Sequence, residues 1–457
     1  MISLLNEKKI HIIGIGGIGM SAIAEILINF GCYVSGSDIA SNSNTQKLTK
    51  LGAKIFEGHQ DSNIAGADLI VHSSAVNSTN PEIVSAIEKG VPVLKRSEIL
   101  ADIMRLKNGI AVAGTHGKTT TTSLVATILK HSGIDPTYLI GGIVKNLSGH
   151  AHVGKGDLFV VEADESDGTF LKLNPVISGV TNIDFDHLDY YGEEKKLIQA
   201  FEQFAHLVPF YGKIFLNDDD AFSKNIASRC KKPYGLFSIE STRSEIDFTI
   251  KNFSEELGKS SFDLFHFGEY VGQVEVPVNG IHNVQNCLLA IAITREIGLS
   301  FEQIINGLKD FGGVGRRLEV LISNNRYKVI DDYGHHPTEV RATISAVKKL
   351  KKNNELIVIF EPHRYTRTHN CWNEFLKSFA DADRVYVLPI YSAGEDAIDG
   401  INSEKLVQEL NMNSSGKYFF AQNIEAVFSE LSMKNQIILS MGAGKIGKDI
   451  REHVRVE

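Results

Sequence analysis

Short apolar runs alternate with stretches of helical period along nearly the whole chain, the pattern of parallel strands joined by crossover helices. In the first hundred residues Ile10–Ile13, Tyr33–Ser35, Asp68–Val71 and Pro92–Leu94 read as strands, with helices at Ser21–Phe30 and Glu82–Glu88. A second series opens with Gly109–Ala113 and continues through Leu158–Ala163 and Val176–Thr181. A third follows Arg317, with Tyr327–Asp331, Glu355–Phe360, Arg384–Pro389 and Gln436–Ser440. The polar, alternating region Ser238–Glu275 reads as antiparallel strands added to the middle series. Joints fall at Asp102–Asn108, where a charged helix end precedes a fresh strand, and at glycine-rich Gly312–Arg317, after a helix at Phe301–Leu308. The pattern predicts an α/β protein in three parts: 1–107, 108–316 and 317–457.

The length of 457 residues suits about three domains of roughly 100–200 residues each. Lys plus Arg is 47 against 55 Asp plus Glu, a net charge of −8, which argues against a nucleic-acid partner needing a basic face. The four cysteines, Cys32, Cys230, Cys287 and Cys371, are scattered and offer neither a zinc framework nor a disulfide scaffold, as suits a reducing compartment. The most apolar stretch, Ile10–Ile28, is broken by glycines and a glutamate, so it is no membrane span. The expectation is a cytoplasmic protein without membrane insertion.

Two glycine loops carry the candidate chemistry. Gly14, Gly16 and Gly19 form Gly-x-Gly-x-x-Gly between a strand and a helix, where backbone can approach a diphosphate at the helix N-terminus. Asp38, closing the next strand, stands where a ribose-binding carboxylate falls in such folds. These residues do not separate NAD from another nucleotide diphosphate. The second loop, Gly114-Thr-His-Gly-Lys-Thr-Thr120, follows Gly109–Ala113 and begins a helix to about His131. It is a shortened P-loop, Gly-x-x-Gly-Lys-Thr, with Val112 where the standard loop has its first glycine. Its amides cradle phosphates, Lys118 reaches the β and γ oxygens, and Thr119 offers Mg²⁺ a hydroxyl. ATP is the expected nucleotide.

Two acidic clusters, Glu162–Asp167 and Thr181–Asp189, follow strands and so lie at the ligand-binding end of a sheet. Their oxygens and the imidazole of His187 suit Mg²⁺ beside phosphates, although acidic turns are also common solvated surface. Asn283 stands where it would cap a helix at Cys287–Ile297. Asp331-Asp-Tyr-Gly-His-His336 and Glu361-Pro-His-Arg-Tyr-Thr-Arg367 again follow strands. Their histidines lack zinc spacing, and Arg364 and Arg367 present forked donors for a carboxylate or phosphate.

With these motifs in order, together with HSSAV, GRRLE and MGAGKIG, the chain resembles the Mur ligases of peptidoglycan synthesis from end to end. The resemblance implies an N-terminal Rossmann-like domain, a central P-loop ATPase-type mixed sheet and a C-terminal Rossmann-like domain. It implies an ATP-driven ligase joining L-alanine, or in the runner-up a whole tripeptide, to the lactyl carboxylate of UDP-N-acetylmuramate. Gly16, Gly17, Ile18, Gly19 and Met20 would hold the UDP diphosphate, with Asp38, Ser73, Ser74 and Arg96 lining the sugar-nucleotide pocket. ATP would be wrapped by Gly114, Thr115, His116, Gly117, Lys118, Thr119 and Thr120, approached by Asn283 and Asn286, and completed by Arg317 and Asp332. Thr119, Glu162 and His187 would bind Mg²⁺. Tyr333, His335, Arg364 and Arg367 would face the amino acid, with His335 a candidate general base, or equally an orienting group, beside the catalytic Lys118, Glu162 and His187. The resemblance leaves room for a homodimer. Some relatives carry a modified lysine about fifteen residues past the metal histidine, where this chain has Glu202. An NAD-dependent oxidoreductase would account for the first loop but not the second, and a non-catalytic nucleotide-binding regulator would have no use for Lys118, Thr119, Glu162 and His187 together.

Overall fold

Three sheets organise the chain in a computed structural model that describes residues 6–73, 75–142, 144–147, 149–186, 188–256, 258–351, 353–412 and 416–456. The first contains β1 (Lys9–Ile13), β2 (Tyr33–Asp38), β3 (Lys54–Glu57), β4 (Leu69–His72) and β5 (Val93–Lys95), all parallel, in the order β3-β2-β1-β4-β5. Chain direction reverses across the sheet between β1 and β4, so a crevice opens at their C-terminal ends. Helix Ile18–Asn29 buries Ile23, Ile26 and Leu27 against Ile10, Ile12 and Val34 of the sheet.

The second sheet comprises β6 (Asn108–Ala113), β7 (Thr137–Leu139), β8 (Ala151–His152), β9 (Leu158–Glu162), β10 (Pro175–Val180), β11 (Lys213–Asn217), β12 (Tyr234–Ser238), β13 (Phe248–Glu256), β14 (Lys259–His266) and β15 (Glu269–Val276). Its order is β15-β14-β13-β12-β11-β10-β6-β9-β7-β8, mixed because β7 and β8 run antiparallel. The Phe267–Gly268 connection, with both residues at positive φ, is a two-residue hairpin, and such a link joins only antiparallel strands. The third sheet has β16 (Glu319–Ser323), β17 (Tyr327–Asp332), β18 (Glu355–Phe360), β19 (Arg384–Val387), β20 (Tyr418–Phe420) and β21 (Gln436–Met441), ordered β16-β17-β21-β18-β19-β20. Only β16 pairs antiparallel there.

Every predicted strand is present. Those that sequence reading omitted, such as β3, β8, β16 and β20, span two to five residues, too few to display a period. One expectation is corrected. The helix before Ile297 begins at Ile281 rather than Cys287, so Asn283 lies inside its first turn and does not cap it. Gly280, at φ 90°, makes the turn into the helix, and the Asn283 amide group donates to the Asn279 carbonyl at 2.7 Å. A run of polar residues thus became helical because backbone geometry upstream allowed it.

The chain divides into two units, residues 1–251, 263–274 and 285–312, and residues 252–262, 275–284 and 313–457. The first holds the five-stranded sheet and most of the second sheet. Among the described residues no cysteine forms a disulfide and no helix is long and apolar enough to cross a membrane.

Within the first unit, helix Phe301–Lys309 packs on helix Lys118–His131 at Gly307, where a Cβ would lie 2.8 Å from the Ile128 Cα. Alanine would gain about 1 kcal/mol of helix propensity, but forcing two backbones apart costs about 1–3 kcal/mol. Gly307→Ala is therefore expected to lower the urea midpoint. A raised midpoint would mean that the helices separate freely.

Candidate active site

β1 ends one residue before Gly14, whose φ of 76° turns the chain toward helix Ile18–Asn29. The Gly14 and Ile15 amides donate to the Ser37 carbonyl at 2.8 and 3.1 Å. Asp38 closes β2 and takes the Gly16 amide on Oδ2 at 2.7 Å and the Ile39 amide on Oδ1 at 2.8 Å. A Cβ on Gly16 would come within 2.6 Å of Asn42 Nδ2 and 2.9 Å of that same Asp38 oxygen, so only glycine fits. Asp38 thus fastens the loop. Gly17 precedes the helix without a side-chain cap, and Ile18, Gly19 and Met20 open it, where N–H groups lack intrahelical partners and favour an anion. Arg96 begins the helix Arg96–Met104, and a Cβ on Gly19 would meet its Nη1 at 2.7 Å. Ser73 follows β4, its amide donating to the Ile13 carbonyl at 3.2 Å and its hydroxyl accepting from the Ala75 amide at 3.3 Å. Ser74 lies outside the described residues. A cavity of about 210 Å³ opens at the same end of the sheet beside Asp38, Ser41, Thr45, Phe56 and Glu57.

The P-loop leaves β6 at Gly114, with φ 130°, and enters helix Lys118–His131 through Gly117, with φ 84°. The segment after β10 holds it open from below. The Thr115 amide donates to the Asn182 carbonyl at 3.0 Å, the His116 amide to Asn182 Oδ1 at 3.0 Å, and the Thr181 hydroxyl to the His116 carbonyl at 2.5 Å. His116 Nε2 pairs with Asp184 Oδ2 at 3.2 Å. Side chains would not fit at either glycine: a Cβ on Gly114 would strike Thr181 Oγ1, and one on Gly117 would strike Asn286 Oδ1. Sequence reading assigned Thr181–Asp189 to metal binding. Here its first residues brace the loop, while His187 lies outside the described residues.

Lys118 Nζ donates to the Gly114 carbonyl at 2.7 Å and lies 2.9 and 2.7 Å from the two oxygens of Glu165. The carboxylate of Glu165 is fully buried, and its backbone carbonyl accepts the Tyr191 hydroxyl at 2.6 Å. Burial pushes the ammonium toward losing its proton, but the carboxylates of Glu165, Asp164 and Glu162 outweigh it and hold the Lys118 pKa above the ordinary lysine value. Sequence reading missed Glu165 as an individual residue because nothing in Glu162–Asp167 says which carboxylate turns inward. Glu162 ends β9 in register with Val112, and its Oε1 accepts the Gly141 amide at 2.8 Å. Asp164 approaches Arg96 Nη2 at 4.0 Å. A chain of charges therefore runs from the first glycine loop through Arg96 and Asp164 to the neighbouring Glu165 and Lys118. Thr119 and Thr120 lie in the first turn of the P-loop helix, with Thr120 buried.

The second unit gathers the remaining residues at the C-terminal ends of β17 and β18. Asp332 is buried, taking the Leu318 amide at 2.8 Å on one oxygen and the Gly334 amide at 2.8 Å on the other. Burial raises its pKa against the pull of Arg317. The guanidiniums of Arg316 and Arg317 lie 5.0 and 5.3 Å from the centre of the Tyr333 ring, and Arg317 also meets Glu339 at 3.3 Å. His335 Nδ1 lies 3.0 Å from the Tyr333 carbonyl, which can only accept, so the proton sits on Nδ1 and Nε2 carries the lone pair. Burial, with Arg367 and His363 adding to it against Glu339, lowers the His335 pKa to about 4, so the ring is neutral at pH 7. Arg367 Nη1 lies 3.2 Å from His363 Nδ1, and Arg364, at φ 69°, faces Glu395 at 4.0 Å.

Family models match in three consecutive blocks: "Mur ligase family, catalytic domain" over residues 9–108, "Mur ligase middle domain" over 112–294, and "Mur ligase, glutamate ligase domain" over 316–444. The chain is 44% identical over 444 residues to a UDP-N-acetylmuramate–L-alanine ligase of Endomicrobium trichonymphae, covering 97% of this chain and 98% of that one. The crystal structure of UDP-N-acetylmuramate-alanine ligase MurC from Thermotoga maritima superposes with a TM-score of 0.81 at 31% identity, covering 98% of each chain. A murein peptide ligase, mpl, from Psychrobacter arcticus shares the fold with a TM-score of 0.70 at 24% identity, again over 98% of each.

The Lys118–Glu165 pair makes a stability test. Lys118→Ala strands a buried carboxylate and is expected to cost about 3–5 kcal/mol. Lys118→Met with Glu165→Gln removes both charges and should recover most of the loss in urea unfolding. Equal midpoints for the single and double variants would show that the pair carries no buried charge.

Proposed function

The chain belongs to the Mur ligase family, and on that premise we propose that it is the ATP-dependent ligase that joins L-alanine to the lactyl carboxylate of UDP-N-acetylmuramate in peptidoglycan precursor synthesis. The observation that carries this reading is the charge path from Gly19 through Arg96 and Asp164 to Glu165 and Lys118. It links a diphosphate-type loop to a P-loop, as a reaction between a sugar-nucleotide carboxylate and ATP requires. Residues 1–107 would hold UDP-N-acetylmuramate, 108–316 ATP, and 317–457 the amino acid. Nucleotide substrates of this kind would be met in the cytoplasm.

The lactyl carboxylate oxygen attacks the γ-phosphorus, the bond to the β,γ-bridging oxygen breaks, and ADP leaves an acyl phosphate. The L-alanine nitrogen then attacks the acyl carbon and inorganic phosphate departs. Gly114 to Thr120 and the Lys118 ammonium bind the phosphates and offset charge moving onto the leaving oxygen. Mg²⁺ suits the hard oxygen donors beside the loop: the hydroxyl of Thr119, at the start of the P-loop helix, and the carboxylate of Glu162, in register with Val112 of β6, would hold it together with His187. When bound it would neutralise phosphate charge. Asn283 and Asn286, one helical turn apart, would meet the adenine, and Arg317 with Asp332 would complete the nucleotide site. Arg364 and Arg367 would clamp the amino-acid carboxylate. His335 would take the proton at Nε2 as the C–N bond forms, since it is neutral at pH 7 and its Nδ1 proton is committed to the Tyr333 carbonyl.

The second reading is a ligase that recycles a tripeptide, and the Tyr333 ring bears on it. Lying beside two guanidiniums, the ring would narrow the room for a long amine. The kcat/KM for L-alanine is expected to exceed that for L-Ala-γ-D-Glu-meso-diaminopimelate, and the reverse order would make the chain the recycling enzyme. Glycine and L-serine should be poorer than L-alanine by about 1–3 kcal/mol, the worth of one small group in a tight pocket.

Lys118→Met with Glu165→Gln, whose fold should be retained, is expected to release ADP at least about a hundredfold more slowly, roughly 3 kcal/mol in the barrier. Near wild-type ADP release from that folded protein would remove Lys118 from the mechanism.

A further inference from the structure

The two faces of the N-terminal sheet differ in chemistry. Across β1, β2 and β3 the register sets Lys9 and His11 on one face with Tyr33, Ser35, Ser37, Lys54 and Phe56. The opposite face sends Ile10, Ile12 and Val34 into the apolar core. A parallel crossover is usually helical, but between β3 and β4 the only helical turn is the four-residue 3₁₀ segment Asp61–Ile64. The start of the polar face, at Lys9, Tyr33 and Lys54, is left exposed. A cavity of about 400 Å³ lies there, lined by Lys9, Tyr33, Ser35, Lys54, Phe56 and Asn63 among others. That volume falls within the roughly 300–1,000 Å³ of small-molecule sites. Lys9 and Tyr33 begin their strands, so that side of the cavity lies toward the end of the sheet opposite the glycine loop, while Phe56 also lines the cavity beside Asp38.

Its walls are held from beneath by a buried charged network. His11 Nδ1 shares the Ser35 hydroxyl at 2.9 Å, while its Nε2 is buried, without a hydrogen-bond partner, 3.5 Å from Glu82 Oε1. The fully buried Glu82 carboxylate accepts from Asn63 at 2.7 Å and Ser37 at 2.6 Å, and lies 3.1 Å from His59 Nδ1. Burial alone would raise its pKa, but the nearby His11 ring and hydrogen bonds from Ser37 and Asn63 hold the carboxyl down at about 2. Burying such a network costs several kcal/mol per ion unless it is well satisfied. Here it fixes the positions of Ser35 and Asn63, which neither phosphate loop uses.

The lining defines the occupant. Lys9 and Lys54 bring two positive charges, offset in part by Asp68, which accepts the Lys9 amide at 2.8 Å. The rings of Tyr33, 63% exposed, and Phe56 offer flat apolar walls, with Lys54 Nζ 4.8 Å from the Phe56 centre. We propose that this cavity is a further ligand site, for a small aromatic anion, separate from the nucleotide sites.

Phenyl phosphate serves as the probe, added to the full-length protein with UDP and ADP saturating so that the phosphate loops are filled. Saturation-transfer NMR is expected to show the phenyl protons still bound. Lys9→Glu and Lys54→Glu should each weaken binding about tenfold, as loss of one charge-assisted contact predicts. Inorganic phosphate at equal concentration should displace little of the probe. Both lysines are exposed, so the variants should fold, with unchanged ADP release as the check. Loss of the signal on adding UDP and ADP, unchanged binding in the Lys9→Glu/Lys54→Glu double variant, or full displacement by inorganic phosphate would each overturn the proposal. None of these outcomes bears on the ligase reading.

Discussion

A loop that binds phosphate must keep its amides turned outward, although the chain around it gains by closing on itself. In this protein polar side chains at strand ends supply the acceptors and donors that hold each loop open. Asp38, at the end of β2, takes the Gly16 amide; Thr181 and Asn182, after β10, bind the P-loop backbone; Asp332, at the end of β17, takes the Leu318 and Gly334 amides. An unpaired buried amide costs about 1–3 kcal/mol, so losing one of these side chains would let its loop rearrange. The glycines are the other half of the constraint. At Gly14, Gly114 and Gly117 the backbone runs at positive φ, and at Gly16 a neighbouring side chain fills the space of a Cβ.

Charge is handled in the same manner. Lys118 is held by two carbonyls and a buried carboxylate, so its ammonium is already oriented and largely desolvated. Such preorganisation removes reorganisation at the moment of reaction, which is where electrostatic catalysis gains most. Because Asp164 faces Arg96 and Glu165 faces Lys118, neighbouring carboxylates tie cationic groups beside both glycine loops to a single turn after β9. A change in that turn should disturb both sites.

Among the described residues of the second unit, three of the seven positive-φ residues with side chains lie at or beside its candidate residues. Arg316 at φ 61°, Leu318 at φ 47° and Arg364 at φ 69° occupy a region costing about 1–3 kcal/mol for residues with side chains. The first two are held by specific bonds, Arg316 by Asp331 at 3.3 Å and Leu318 by Asp332. Asp331 also meets Arg451 at 2.7 Å, which joins the C-terminal helix to the start of the unit. The strained segment runs directly into Tyr333 through the bond from its amide to the Arg316 carbonyl at 2.6 Å.

The amino-acid sequence alone determined the alternating α/β pattern, both glycine loops and the family, because these depend on local period and on ordered motifs that survive without coordinates. It marked Lys118, Arg96, His335 and the arginines as chemistry-bearing residues. Partnerships between residues distant in sequence depend on register and packing, and only the tertiary structure decided them. It turned Glu165 inward, 47 residues from Lys118, and spent Asp38 on the glycine loop 22 residues upstream. It placed Thr181 and Asn182 under the P-loop and made Asn283 helical behind Gly280. The polar face of β1, β2 and β3 was likewise hidden from sequence reading, since β3 is four residues long and its alternation acquires meaning only when Lys54 stands beside Ser35 and Ser35 beside His11.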